Sequence, residues 1–282
     1  MLTSKLLPYI LIASEAGHKA AEHGAGHGEH GGRPELPHLF LLLKSIFPHA
    51  GWAEWLEHYH PVVFSFIVII ILSIVAYRSA SKRAMIPSGL QNAAEWIVEG
   101  LRDFLMGILG PQGKKFIPFL GTLFIYIYAM NVFALIPGGF SPTSNLNTTL
   151  GMAIVVFFYV QYTGMRKNGI LGYLHHMAGS PKSAVEWFLV PLFLPLHIIG
   201  ELAKPVSLSL RLFGNISGED VLLAVFVVLG ISLLNFLPVP VGLPLHLPFI
   251  FLALLLSFVQ ALVFTLLSTI YFALMFPHDE EH

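Results

Sequence analysis

Long apolar runs recur along this chain, at about 61–77, 116–136, 149–164, 184–236 and 249–275. Each approaches or exceeds the ~20 residues that carry a helix across the ~30 Å hydrocarbon core of a bilayer. In hydrocarbon every backbone N–H and C=O must find an internal partner, so only helices and closed barrels can span it. Continuous apolar runs of this length are helical, and the chain is expected to be an all-α, polytopic membrane protein with about five transmembrane helices. The run at 184–236 exceeds one straight crossing and contains Pro191 and Pro195, so it is expected to be tilted or bent. Composition agrees: 11% of residues are charged, against roughly 25% in soluble domains.

Several function classes fall away at once. With no cysteine the chain has no disulfide, thiolate metal site or cysteine nucleophile. A net charge of -1 gives no reason to expect nucleic acid as a partner. No internal repeat is visible, which argues against an ion-coupled secondary transporter, the main alternative reading.

Two domains are expected, an extracytoplasmic segment at 1–60 and a membrane domain at 61–282. The first residues, MLTSKLLPYILIASEAG, have some features of a secretory signal, but the apolar run is short and no cleavage site stands out. A Gly- and His-rich tract follows at 17–33, and it is compositional evidence only; no metal site or cofactor is expected from it. Trp52, Trp55 and Tyr59 suggest an interfacial helix within 36–60. Residues 91–109 place Trp96, Ile97, Leu101, Phe104, Leu105 and Ile108 at helical spacing among Glu95, Glu99, Arg102 and Asp103. That pattern predicts an amphipathic helix lying on the membrane or docking on protein, not a span. The segment at 138–149 reads as a polar turn.

Lys and Arg orient the chain. The loops at 78–115 and 166–182 hold nine of the 15, the segment before 61 holds four, and the segments 137–148 and 237–248 hold none. The positive-inside bias then puts the N-terminus outside and, after five crossings, the C-terminus in the cytoplasm.

The other two cations, Lys204 and Arg211, lie inside apolar sequence. An arginine at bilayer depth costs between ~2.5 and ~17 kcal/mol depending on the reference, and such residues are usually functional. Arg211 cannot relay a proton by releasing one, since its pKa is above about 12. It can hold a carboxylate ionised, or stand as a barrier to a passing cation. A bland reading pairs it with Glu201 to fix packing. At roughly 100° per residue, His197, Lys204, Asn215 and Gly218 share its stripe, Glu201 lies roughly 80° off and Asp220 points nearly opposite. Lys204 is expected to snorkel to the interface. Glu219 and Asp220, beyond the arginine, are candidates for a proton relay. In the last span Ser257, Gln260, Ser268 and Tyr271 form a second polar stripe, and Gln260 is placed to orient Arg211.

These residues carry a resemblance. KPVSLSLRLFGN (204–215), the acidic pair after it, QALVFTLLSTIYF (260–272), NVFALIPGGFSPTSNLNTTL (131–150) and the GYLHH stretch are similar to subunit a of the rotary F-type ATP synthases. The resemblance covers about 60–276. It implies a non-catalytic stator in the bacterial cytoplasmic membrane, with its last two helices forming a tilted hairpin along a ring of c subunits. The other implied partners are the peripheral-stalk subunit b, the F1 ATPase and the surrounding lipid. Arg211 would face the ring carboxylate and separate two aqueous half-channels, so that proton flow drives rotation and ATP synthesis. Asn215, Gln260 and Tyr271 match family positions, and Asp220 best fills the acidic access position, which adjacent Glu219 could share. Two departures stand out. His197 occupies a position where some members have glutamate, so Glu201 is a substitute there. Ala253 occupies one where some have histidine or an acid, so His246 is the substitute. A transporter using Arg211 to bind an anionic substrate, and a hydrolase using His175 and His176 as metal ligands, fit these motifs less well.

Overall fold

The architecture follows from one very long helix and the shorter ones that brace it. In the computed structural model, residues 39, 51–81, 89–136, 138–177, 184–233 and 244–275 are described. The helices are α1 (Gly51–His58), α2 (His60–Ser81), α3 (Leu90–Leu109), α4 (Ile117–Ala134), α5 (Leu146–Met177), α6 (Ala184–Leu233) and α7 (Leu247–Leu274). Single 3-10 segments at Pro111–Phe116 and Pro142–Ser144 precede α4 and α5. Five helical stretches are long and apolar enough to cross a membrane, at His60–Ser81, Pro111–Ala134, Leu146–Lys167, Phe193–Gly230 and Leu247–Leu274. The all-α polytopic fold read from the sequence is the one observed.

Helix α6 has 50 residues, so it is ~75 Å long, more than twice the hydrocarbon thickness. It is helical through Pro191, Pro195 and Pro205. Each proline removes one backbone donor and crowds the preceding turn, so these points are where the helix bends most easily. Helix α5 also outruns expectation. It continues to Met177, interrupted at Gly169, whose φ of 70° and ψ of 164° only glycine adopts without strain.

The two long helices run antiparallel in a fixed register. Lys204 lies over the Tyr271 ring at 5.1 Å, Asn215 meets Gln260, and the Phe226 and Phe249 rings stack at 3.8 Å. These three pairs fall at equal intervals of eleven residues on both helices, about three turns, so one seam joins them. On its other flank α6 meets α5, where Gln161 bonds Glu201. At the far end of that contact Ser217 bonds the Ser144 carbonyl.

The core lies where α4, α5, α6 and α7 meet. Leu120, Ile127, Val156, Leu212 and Phe264 are buried there, and the Phe116, Tyr159 and Phe272 rings pack together. Between helices in lipid there is no hydrophobic drive, because the lipid tails are as apolar as leucine. Close packing and hydrogen bonds hold this core instead.

The helix at 91–109 is observed and docks on the protein, with Leu105 and Leu109 buried in the core. The segment at 138–149 is folded into the protein, with Ser141 and Thr143 fully buried. A tight turn permits this. At Gly139 a Cβ would sit 2.1 Å from the Phe133 carbonyl oxygen, so no larger residue fits. Of the interfacial segment, α1 is described, with Trp52 and Trp55 exposed; the signal-like and His-rich stretches lie outside the described residues, as does 234–243.

Candidate functional site

Arg211 lies in the middle of α6 on an exposed face, and among the described residues it makes no hydrogen bond or ion pair. Its neighbours Leu208, Leu212 and Ile216 point the other way, into the core. The face it shares is made of small or apolar side chains, Ala203, Ser207, Leu210, Gly214, Asn215 and Gly218. A Cβ added at Gly214 or Gly218 would meet nothing within 4 Å. Packing inside this chain therefore does not require either glycine. A surface of small residues beside a charge suits close approach by another helix.

Asn215 donates from Nδ2 to Gln260 Oε1 at 2.6 Å. Gln260 is thus fixed by Asn215, one turn from Arg211, rather than by the arginine itself. Its own Nε2 is buried without a partner among the described residues. Ser257 and Ser268 are fully buried, as are Thr265 and Thr269, which sequence reasoning passed over. Alternating Thr and Ser at helical spacing in 260–272 was the signal that could have found them.

Toward the N-terminal side of Arg211, Glu201 and Lys204 are paired. Glu201 forms a salt bridge with Lys204 and accepts a hydrogen bond from Gln161 Nε2 at 3.0 Å. Lys204 also sits over the Tyr271 ring. The pairing of Arg211 with Glu201 is therefore not observed. A carboxylate one turn away and an aromatic face hold the Lys204 ammonium. The space between these groups measures about 10 Å³. His197 is exposed, a further turn beyond Glu201.

Toward the other side the polar groups are buried and incompletely paired. Glu219 is buried, and its Oε2 has no partner among the described residues; Asp220 is half-buried beside it. Thr143 donates to Asn131 Oδ1 at 2.5 Å, and the Thr143 and Ser141 hydroxyls lie 2.7 Å apart. Asn131 was not singled out as a site residue in the sequence, although a buried amide inside NVFALIP was the available signal. His246 is half-buried at the start of α7. By the α6–α7 register it is level with Leu229, ~15 Å along the axis from Glu219, so the two do not meet directly.

The profile of the ATP synthase A chain family matches residues 62–273, most of the chain and all of these groups. The chain belongs to this family. ATP synthase subunit a of Protochlamydia amoebophila is 48% identical over 248 residues, 88% of this chain and 92% of the relative. That of Solidesulfovibrio magneticus is 38% identical over 84% of this chain and 94% of its own length. ATP synthase subunit a 1 of Syntrophotalea carbinolica is 37% identical over 84% and 97%. Members are components of the membrane sector of ATP synthase, which ties the chain to proton transport and ATP synthesis. Among the described residues no three His, Asp or Glu side chains form a metal-binding cluster.

Proposed function

We propose that this chain is the non-catalytic stator of the membrane sector, and that Arg211 is the fixed counter-charge to a carboxylate on a rotating ring of c subunits. The observation that carries the reading is an unpaired arginine in mid-span on an exposed face of small residues. An uncompensated charge at this depth is tolerated only if a partner supplies the opposite one. Arg211 keeps the facing ring carboxylate ionised and blocks direct passage of a cation along the seam. Protons reach the ring through one half-channel and leave through another, on opposite sides of the arginine. One elementary charge crossing 100 mV releases ~2.3 kcal/mol, so a leak past Arg211 would dissipate what rotation has to sum over several steps. On the charge bias of its loops the N-terminus lies outside the cytoplasm and the C-terminus inside, in a bacterial cytoplasmic membrane. Subunit b of the peripheral stalk and the F1 ATPase complete the assembly.

The test is Arg211→Ala in the assembled complex, in inverted membrane vesicles. ATP-driven proton pumping is expected to vanish while ring and stator still purify together. Normal pumping would sink the assignment.

A further inference from the structure

We propose that one anionic phospholipid binds where α2, α4 and α5 meet, with its headgroup on Lys115, Arg166 and Lys167 and one acyl chain in the groove between those helices. None of the residues lining the groove comes from α6 or α7. The site is therefore separate from Arg211 and does not depend on the stator reading.

The groove measures about 520 Å³. Val62 on α2, Phe119 and Leu123 on α4, and Met152 and Val155 on α5 form most of its wall. The hydroxyls along its middle are already bonded within the chain. Ser65 and Tyr126 bond each other, and Thr122 Oγ1 donates to the Pro118 carbonyl at 2.7 Å. Satisfied hydroxyls and apolar walls give an ion or a sugar nothing to bind, whereas hydrocarbon surrounds the bundle at this depth. An acyl chain is the occupant that matches.

The cations gather at one end of this groove. Lys115 stands four residues before Phe119, in the 3-10 segment that leads into α4. Its ammonium lies 5.0 Å from the centre of the Phe116 ring. It is also within electrostatic reach of Lys167 on α5. Arg166, next to Lys167, is exposed. At roughly 100° per residue Arg166 lies within about 20° of Val155, ~16 Å away along the same face of α5, and Tyr162 lies between them on that face. Tyr162 is 55% exposed, and an exposed tyrosine at this level suits the membrane interface. Half the hydrocarbon core is ~15 Å thick. A headgroup held at Arg166 therefore brings the end of its chain to Val155, where the groove opens.

Charge decides the class of lipid. An anion between Lys115 and Lys167 turns their mutual repulsion into two attractions, and the arginine fork matches two phosphate oxygens. A zwitterionic headgroup carries an ammonium that the same cations repel. Basic clusters between membrane helices take anionic headgroups for this reason. The residues concerned lie at the end of the bundle that the charge bias assigns to the cytoplasm, where the leaflet is negatively charged.

The experiment places the intact complex in phosphatidylcholine nanodiscs that carry a trace of phosphatidylglycerol with a photoreactive group at the end of one chain. Both leaflets hold the probe, so the outcome does not depend on which way the chain is inserted. Crosslinks are expected on 119–126 and 151–155, and a phosphatidylcholine probe of the same build should label them at least about fivefold less. Lys115→Gln and Arg166→Gln are each expected to cut labelling about fivefold. Arg78→Gln, about 140° around α2 from Ser65, removes a charge from the same end of the bundle and should change it little. Val155→Trp closes the mouth and is expected to abolish labelling inside the groove. Recovery of the assembled ring and stator is read for every variant. Equal labelling by the two probes overturns the proposal, as does labelling that ignores Lys115 and Arg166 or falls as far in Arg78→Gln. A photoreactive side chain built in at position 155 is the second measurement. Capture of another subunit's helix there, in place of lipid, also overturns it.

Discussion

Two polar clusters sit on α6 on either side of Arg211, and they are built in opposite ways. At the Glu201 end every charge is answered: Lys204 bridges Glu201, Gln161 bonds the same carboxylate, and the Tyr271 ring covers the ammonium. At the Glu219 end the carboxylate, Ser257 and Asn131 each keep a buried atom unpartnered among the described residues. The cost of burying polar atoms is thus offset at one end and left standing at the other. A satisfied pair fixes helices against each other, and the Glu201 cluster joins α5, α6 and α7 as a clasp. On the stator reading, the satisfied end is the part of the site that sets position and the unsatisfied end the part that handles the ion.

The strongest challenge to this division lies on the face between the two clusters. Gly218→Leu adds a side chain into space that is open in this chain, so the subunit is expected to fold with its helices unchanged. Ring docking requires close approach along that face, and ATP-driven pumping is expected to be lost. If co-purified ring and pumping both survive, the small-residue face is not the docking surface. Next in size is Glu201→Gln, which strands the Lys204 charge. Removing one partner of a buried pair costs about 3–5 kcal/mol, and with these side chains 13–23% exposed about 2 kcal/mol is expected. Thermal inactivation of the solubilised complex should come earlier in Glu201→Gln and return toward normal in Glu201→Gln with Lys204→Met. No recovery in the double variant would mean that Glu201 does more than neutralise Lys204.

The fold was largely legible because its signals are long-range averages: apolar runs mark the membrane helices, and Arg211 announces itself by its cost. The pairing partners were not legible, for a physical reason. Helical spacing says which residues share a face of α6, but it cannot give the register of α6 against α5 and α7. Glu201 and Lys204 sit roughly 60° apart by spacing, and either could have turned toward Arg211. It is Gln161, forty residues away in sequence, that holds Glu201. Likewise 138–149 reads as a polar turn by composition, with no sign of what it packs against. Its contacts turn it inward: Thr143 with Asn131, Ser217 with Ser144, and the Phe140 ring against His60 and Phe64.

The smallest expected effect makes the sharpest comparison, because it uses one residue type twice on one helix. Ser257 and Ser268 are both fully buried on α7. Ser268 Oγ donates to the Phe264 carbonyl at 2.8 Å, whereas Ser257 Oγ has no partner among the described residues. Ser268→Ala removes a made hydrogen bond and is expected to lower stability by about 0.5–1 kcal/mol while leaving flux near normal. Ser257→Ala removes an unmade one, so stability is expected to hold or rise slightly, yet flux should fall. Thermal inactivation and proton pumping measured on the same two preparations therefore move in opposite senses. Should both variants lose stability and keep their flux, the hydroxyl of Ser257 would be ordinary packing, and the line drawn between a positioning end and an ion-handling end would not pass through α7.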